Sequence, residues 1–233
     1  VLESAHVKNE NGMDDIVSTC GNKNCYRHVS LGYDTAREYL LGNFYLVSEG
    51  GGHYGLKDVY CNTVRSSSEF GSNPPEPGSI PSATVVNTEH TWPQSRFSGR
   101  YNRGTQKSDM HHLYPTDNEM NSVRSSNNFG EVVKDKKYLR CKESRYGTPA
   151  GGNHDVFEPP TNHKGNVARA LFYFSVKYEI QIDETQEQTL RKWSKEDPVD
   201  EEEIRRNDFI HELQGNRNPF IDFPNLEDYI SNL

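Results

Sequence analysis

The chain has 233 residues and a mass of 26.6 kDa, which suits one large domain. No apolar run approaches the roughly 20 residues that a transmembrane helix needs, so we expect no membrane partner. The net charge of −8 argues against a uniformly basic surface, but the charge is unevenly spread. Residues 181–233 carry 14 acidic and 6 basic side chains, whereas residues 91–107 carry four basic side chains and no acid. Residues 120–147 carry seven basic against three acidic side chains, so the sequence allows either a local basic face or solvated loop charges.

Four cysteines, Cys20, Cys25, Cys61 and Cys141, are compatible with two disulfides. Cys20–Cys25 is the local pairing, which leaves Cys61–Cys141 as the long-range one. Free buried thiols are the alternative, and a zinc site is disfavoured because a second close pair is missing. The chain starts with a polar stretch and without Met, so we expect a mature or trimmed form that has lost a targeting segment.

Taken in chain order, the first clear element is a helix predicted over residues 35–47, with Gly42 as its weak point. The Gly-rich residues 50–55 lack the strand and helix that flank a phosphate-binding loop, so a turn is predicted there. Residues 62–83 are rich in Ser, Pro and Gly and predict a long ordered loop. A β-branched run then predicts a strand over residues 83–90.

A second strand is predicted over residues 110–116, closed by Pro115. A helix is predicted over residues 117–126, because Thr116 and Glu119 have the spacing of a capping box. The sequence Asn-Asn-Phe-Gly that follows tolerates positive φ and should end this helix. The predicted order is therefore strand, loop, strand and helix within about 45 residues.

Three further helices are predicted towards the end of the chain. Residues 165–179 are largely apolar, which predicts a buried helix. Residues 185–200 and 200–216 are amphipathic and heavily charged. The last of these helices starts with acidic residues at its positive end and should stop at Gly215.

Glu89 and His90 stand side by side at the end of the first predicted strand. A carboxylate is a hard ligand suited to Mg²⁺ or Mn²⁺, and an imidazole has a pKa close to the working pH of a general base. Asn121, in the predicted helix, offers a second hard oxygen. Each of these residues alone is more often a solvated or structural side chain. The nearby His111 and His112 could belong to a metal cluster, but satisfied core histidines are the favoured interpretation.

The sequence contains four blocks in a fixed order: EHTWPQS (89–95), SDMHHLYPTDNEMNSVRSSNNFGEV (108–132), HKGNVARALFYFSVKY (163–178) and QGNRNPFIDFP (214–224). Together they resemble the bacterial endonuclease I family, over a stretch from about residue 30 to the C-terminus. The resemblance implies an α+β fold in which a ββα-metal, or His-Me finger, motif is embedded in a mostly helical part. We expect one nuclease domain over residues 1–233, with the ββα core at about 83–130 and the helical part at about 163–233.

The resemblance also implies roles for single residues. His90 would be the general base, and Glu89 and Asn121 would hold one Mg²⁺, a site that Mn²⁺ or Ca²⁺ can also occupy. The family has an arginine between the two strands that steadies the cleaved phosphate. Three arginines compete for that role here, of which Arg103 is favoured over Arg96 and Arg100. Arg124, one helical turn after Asn121, would contact phosphate or brace the fold.

The expected activity is cleavage of double-stranded and single-stranded DNA, and of RNA, with little sequence preference and with 5′-phosphate ends. The resemblance implies a monomeric periplasmic or secreted protein, a location that favours disulfides. Two alternatives remain open: a structure- or sequence-selective endonuclease on the same motif, and a non-catalytic nucleic-acid-binding protein.

Overall fold

The computed structural model describes residues 5–7, 15–17, 21, 25–152 and 154–233. The α-helices are α1 (Tyr33–Tyr39), α2 (Arg103–Ser108), α3 (Asn118–Arg124), α4 (Lys164–Tyr178), α5 (Glu184–Glu196), α6 (Glu201–Gln214) and α7 (Pro219–Asp222). The strands are β1 (Ala5–Val7), β2 (Asp15–Val17), β3 (Leu46–Gly50), β4 (His53–Asp58), β5 (Thr63–Arg65), β6 (Val86–His90), β7 (Leu113–Asp117), β8 (Asn128–Phe129), β9 (Lys134–Asp135), β10 (Arg145–Thr148) and β11 (Val156–Glu158). Within these residues, no helix has the length and hydropathy needed to cross a bilayer.

The strands form several small sheets. Strands β3, β4 and β5 make a three-stranded antiparallel sheet, and β8, β11, β10 and β9 make a four-stranded one in that order. Strands β6 and β7 pair antiparallel, with Glu89 opposite Tyr114 and His90 opposite Leu113. Helix α3 follows β7 without a connecting loop. The predicted order of strand, loop, strand and helix is therefore confirmed, and the molecule is a mixed α+β structure.

Helix α4 lies at the centre of the core, as its apolar sequence predicts. Its buried side chains include Phe172 and Phe174, and the Trp92 ring stacks on Phe174 at a centroid distance of 5.3 Å. This contact fixes the chain just after β6 against the core. Helices α5 and α6 are also confirmed, and α6 ends at Gly215 with a φ of 81°. A side chain is excluded there because its Cβ would lie 2.6 Å from the Arg27 carbonyl oxygen.

The strand predicted over residues 110–116 is correct only in its second half. The Asp109 side chain accepts a hydrogen bond from the His111 backbone N–H, which holds residues 110–112 in a 3₁₀ turn. Strand β7 begins at Leu113, so Pro115 lies inside the strand and does not close it. Proline is tolerated because its carbonyl points away from β6 to the Val59 N–H, so its missing N–H removes no hydrogen bond from the β6–β7 ladder.

The capping box predicted for the next helix was wrong. Asp117 is the N-cap of α3, and its Oδ1 accepts bonds from the backbone N–H groups of Glu119 and Met120. Aspartate is among the strongest N-cap residues, and it also favours the positive helix end. The helix ends two residues earlier than predicted, because Ser125 adopts a φ of 49°.

The N-terminal helix prediction, residues 35–47, spans three elements. Helix α1 starts at Tyr33, continues as a π-helix over Leu40–Phe44, and gives way to β3 at Leu46. Gly42 is required by a close approach, because a Cβ there would lie 2.5 Å from the Ser79 carbonyl oxygen.

The two predicted connecting segments, residues 50–55 and 62–83, are both shorter in the structure than the sequence predicts. The turn predicted at residues 50–55 is confirmed only at residues 51–52, because Gly50 ends β3 and residues 53–55 already lie in β4. The predicted loop at residues 62–83 contains β5 and a 3₁₀ turn, Ser67–Phe70. It is otherwise irregular.

The long-range disulfide is confirmed, with Cys61 and Cys141 joined at a Cα separation of 4.6 Å. It links the segment after β4 to the segment before β10. Cys25 is also disulfide-bonded. Its predicted partner, Cys20, lies outside the described residues.

Candidate active site

Strand β6 ends at His90, three residues before Pro93, as predicted, but it begins at Val86 and not at residue 83. Glu89 and His90 are both buried, with 2% and 7% of their surfaces exposed. The pleat of the strand turns them to opposite faces. Glu89 faces α3, where its Oε1 lies 2.8 Å from Arg124 Nη1. The two neighbouring side chains therefore lie on opposite sides of one strand end.

The Glu89 carboxylate is buried beside the Arg124 guanidinium and the Tyr60 hydroxyl. Burial raises its pKa to about 7, and the neighbouring Arg124 guanidinium opposes that shift. Its Oε1 contact with Arg124 lacks the alignment of a hydrogen bond. A buried carboxylate oxygen therefore retains capacity for a further ligand.

Helix α3 brings Asn121 to the Glu89 side of β6. Asn118, at the start of the helix, accepts a hydrogen bond from Asn87 at 3.3 Å, and Arg124, at its end, reaches Glu89. Asn121 is three residues from each, so it lies between them on the same helix face. Its half-buried side chain makes no hydrogen bond with any described residue. The amide oxygen and the Glu89 carboxylate are hard donors that suit Mg²⁺ completed by water.

The His90 ring is held by two hydrogen bonds. Its Nε2 lies 3.1 Å from the Lys107 carbonyl oxygen, which can only accept, so Nε2 carries the proton. The other nitrogen, Nδ1, then has the lone pair and accepts from Gln94 Nε2 at 3.3 Å. Burial, followed by the nearby His112, holds the His90 pKa well below its usual value. The neutral ring thus presents Nδ1 as a base.

The sequence indicated His90 but not the residues that orient it. Gln94 is separated from it by four positions, and the Lys107 carbonyl belongs to α2. Tyr33 of α1 places its ring 5.3 Å from the His90 ring, and Lys107 Nζ lies 4.2 Å from the Tyr33 ring centroid. Of these residues, only Gln94 could have been found from the sequence, because it lies within the first block, four positions after His90. No local pattern connects Tyr33 or Lys107 to His90.

The three competing arginines have different surroundings. Arg103 donates to the Gln94 carbonyl oxygen at 3.0 Å, so it is linked to His90 through one residue. Arg96 donates to the Ser126 carbonyl oxygen at 2.7 Å, in the segment after α3. Arg100 pairs with a glutamate at the end of α4, Glu179. All three are exposed, and Arg103 is the one bonded to a partner of His90.

Arg124 is only 2% exposed and acts as a brace in this structure. Its Nη1 donates to the His90 carbonyl oxygen at 3.0 Å, and its Nη2 donates to the Thr91 carbonyl oxygen at 2.6 Å. Its guanidinium also stacks over the Phe129 ring at 4.4 Å. These contacts match the bracing alternative, because they fix the backbone that leaves β6.

His111 and His112 match the interpretation as core histidines. Both are fully buried, and their Nε2 atoms donate to carbonyl oxygens of Asn216 and Gln106 at 3.1 and 2.8 Å. Each imidazole is thus hydrogen-bonded through Nε2, whereas its buried Nδ1 has no hydrogen-bond partner among the described residues, so the prediction of satisfied histidines holds for one nitrogen of each ring. Because residues 110–112 form a turn, the two rings do not alternate across a strand as predicted.

A second cluster of acidic and sulfur atoms lies at the start of α3. One atom each from Asp58, Cys61, Asp117 and Cys141 falls within 4.8 Å of the others. Both sulfurs belong to the disulfide, so they are not available as thiolate ligands. Asp117 caps α3, and Asp58 Oδ1 accepts the Asp117 backbone N–H at 3.0 Å. The cluster supports the helix start.

A family profile described as Endonuclease I matches residues 54–225, which include β6, β7, α3 and α4. The chain belongs to the endonuclease I family. It is 32% identical over 190 residues to an extracellular ribonuclease of Bacillus subtilis (strain 168), covering 74% of this chain and 60% of that protein. It is 36% identical over 164 residues to an extracellular ribonuclease of Bacillus amyloliquefaciens, covering 62% and 53%. A periplasmic deoxyribonuclease of Aeromonas hydrophila is 33% identical over 121 residues, covering 49% and 47%. The chain therefore matches only about half to three-fifths of these relatives' lengths.

Proposed function

We propose that this chain is a metal-dependent endonuclease that hydrolyses phosphodiester bonds of DNA and RNA with little sequence preference. The products carry 5′-phosphate ends. The observation that supports this best is the fixed tautomer of His90, whose unprotonated Nδ1 stands at the end of the strand that also carries the buried Glu89 carboxylate. The unit formed by β6, β7 and α3 is then a ββα-metal, or His-Me finger, motif.

His90 is the general base in this proposal. The Lys107 carbonyl holds the proton on Nε2, so Nδ1 accepts a proton from the attacking water. That water takes the place of Gln94 Nε2 as the donor to Nδ1. The Lys107 carbonyl also stabilises the imidazolium that forms, because the charged ring donates more strongly to it.

Glu89 and Asn121 are the protein ligands of one divalent cation, Mg²⁺, with Mn²⁺ or Ca²⁺ as alternative occupants. A cation at this position supplies positive charge that stabilises the phosphate as negative charge develops on it. Arg124 holds the Glu89 carboxylate and the strand end in place. Arg103 is the arginine assigned to the cleaved phosphate, because it is exposed and bonded to Gln94.

The substrate range follows from the relatives and from the charge distribution. Named relatives include extracellular ribonucleases and a periplasmic deoxyribonuclease, so we propose both nucleic acids as substrates and a location outside the cytoplasm. The exposed arginines between β6 and β7 can contact phosphates, which are the same in every sequence. Such binding should weaken steeply with salt.

Supercoiled plasmid and a single-stranded RNA test the proposal, each incubated with Mg²⁺ and with EDTA. We expect the plasmid to be nicked and then reduced to a smear with Mg²⁺, the RNA to be degraded, and both to survive in EDTA. His90→Ala should lower the cleavage rate by about 10²- to 10⁴-fold, the contribution of general base catalysis. The exposed His53 provides a matched control, since His53→Ala should cleave at the wild-type rate.

The same assay separates the alternatives. Discrete plasmid bands would identify a selective endonuclease, and a gel shift without cleavage in any metal would identify a binding protein. If His90→Ala cleaves as fast as the wild type, His90 is not the base. Because His90 is buried, the thermal unfolding of each variant is recorded as well, so that loss of folding is not read as loss of catalysis.

A further inference from the structure

The segment between β9 and β10, residues 136–144, forms a surface loop that we call the basic loop. It carries four basic side chains and one acidic side chain on a protein whose net charge is −8. Lys137 and Lys142 are exposed and make no ion pair with any described residue. Their charge is therefore available to a polyanion.

Tyr138, within the basic loop, is 100% exposed. The residues after it are anchored: Leu139 packs against the core, and Cys141 is buried and joined to Cys61. The Tyr138 hydroxyl makes no hydrogen bond with a described residue. The loop thus presents a whole aromatic ring to water from a backbone that is anchored just after it, so binding has to fix mainly the rotamer of the ring.

The basic loop adjoins the proposed cation site through α3. The Arg140 guanidinium pairs with Asp117, the N-cap of α3, and its Nε lies 3.9 Å from Glu119 Oε2. Asn121 is four residues after the N-cap, which is about 6 Å along the helix axis. A nucleic-acid strand whose cleaved phosphate lies at the proposed cation site can therefore continue over the basic loop.

An exposed aromatic ring next to unpaired lysines should bind single-stranded nucleic acid more tightly than a duplex. Lysines alone contact the phosphates of duplexes and single strands alike. An aromatic ring adds stacking energy only with a base whose face is uncovered, and duplex bases are covered on both faces by their neighbours.

We propose that the basic loop is a subsite for single-stranded nucleic acid, in which Tyr138 stacks on an unpaired base and Lys137 and Lys142 contact the flanking phosphates. The subsite rests on the proposed function, because it takes the same polymer as the cleavage site. It makes the single strand a better-bound substrate than the duplex.

Equilibrium binding of fluorescently labelled oligonucleotides tests the subsite. A 12-nucleotide oligothymidylate and a duplex of the same length are titrated in EDTA, and gels confirm that both remain intact. Tyr138→Ala should raise the Kd for the single strand about tenfold, within the range of about 5- to 150-fold expected for one stacked base. The Kd for the duplex should change less than twofold. Tyr138→Phe keeps the ring and should retain wild-type binding.

Two control variants sharpen the result. Tyr229 is 87% exposed, and Tyr229→Ala should leave both Kd values within twofold of wild type. The double variant Lys137→Gln with Lys142→Gln should weaken both ligands and lower the salt slope for the single strand by about 0.7 for each lost phosphate contact. An oligonucleotide whose central nucleotides are abasic should bind Tyr138→Ala and wild type equally.

Three results would overturn the subsite: unchanged single-strand binding by Tyr138→Ala, equal weakening of Tyr138→Ala and Tyr138→Phe, or the same loss on the duplex. Because the Kd values are measured without cleavage, they remain readable even if the protein cuts nothing in Mg²⁺. Failure of the subsite and failure of the proposed nuclease activity are therefore seen in different experiments.

Discussion

Two buried carboxylate–guanidinium pairs, Arg169–Glu203 in the helical half and Arg124–Glu89 in the half built by β6 and α3, differ in how well they are hydrogen-bonded. In the helical half, Arg169 of α4 donates from Nε to Glu203 Oε1 at 2.8 Å, and its Nη2 donates to Glu203 Oε2. In the half built by β6 and α3, Arg124 meets only one oxygen of Glu89, without hydrogen-bond alignment. Its own hydrogen bonds go to backbone carbonyl groups.

The difference distinguishes a well-matched structural pair from the pair that contains the proposed cation ligand. A buried ion pair offsets its desolvation cost only when the oxygens and N–H groups are well matched, as they are in Arg169–Glu203. A buried carboxylate that is left with an unsatisfied oxygen costs free energy, and such a cost is typical of sites that bind something. The unequal pairing thus supports Glu89, and not Glu203, as a ligand.

The largest expected effect is on activity, at Glu89. Glu89→Gln replaces a charged cation ligand with a weak neutral one and should lower the cleavage rate about a thousandfold, equivalent to about 4 kcal/mol. The free energy of unfolding should fall by about 1 to 3 kcal/mol, less than for a pair with matched hydrogen bonds, because the buried Arg124 loses its counter-charge but keeps its two carbonyl partners. Initial rates in Mg²⁺ and urea unfolding curves measure the two quantities. If Glu89→Gln cleaves at the wild-type rate, Glu89 is not a cation ligand, and its pair with Arg124 is no more functional than the Arg169–Glu203 pair.

The reverse change, at Glu203, should affect stability. Glu203→Gln leaves the buried Arg169 without its counter-charge, so the free energy of unfolding should drop by about 3 to 5 kcal/mol. Molecules that remain folded should cleave at the wild-type rate, because this pair lies in the helical half. Urea unfolding and rates corrected for the folded fraction check the prediction. A lowered rate without a loss of stability would place Glu203 in the reaction instead.

Most of the elements around the site were predictable because local signals agreed with tertiary packing. The β-branched run ending at His90, the apolar helix α4 and the stop of α6 at Gly215 all follow from short patterns. The errors arose where a side chain competed with a generic rule. Asp109 bends the residues before β7 into a turn, and Asp117 caps α3 in place of Thr116.

Only the site residues that lie within the recognisable sequence blocks could be predicted. Glu89, His90 and Asn121 were named because strand end and helix carry them in recognisable blocks. The contact of Tyr33 with His90 could not be predicted from the sequence, because Tyr33 lies 57 positions before His90 and reaches it only through the packing of α1. Likewise, nothing local to Arg124 distinguishes a phosphate ligand from a brace. Burial decides between the two, and burial is a property of the fold.

The smallest expected effect lies at the boundary between the two halves, at His163. Its buried ring packs against Tyr114 of β7 at 4.8 Å, and the residue stands at the N-cap position of α4 without a capping hydrogen bond from its side chain. Burial, followed by Lys57 and other cations, lowers its pKa to about 3. The unfolded chain therefore binds a proton that the folded chain does not, so this group costs stability as pH falls below about 6.5.

His163→Phe keeps the ring contacts and removes this proton. Between pH 7.5 and 5.5 the variant should lose about 1 kcal/mol less stability than the wild type, by linkage. Urea unfolding at the two pH values measures the difference, and the exposed His154→Phe serves as the control that should lose stability like the wild type. Equal losses in all three proteins would mean that His163 takes up its proton in the folded state. The folded protein would then contain a charged imidazole at the boundary. The contrast between well-paired buried charges in the helical half and incompletely paired charges at the site would not extend to this residue.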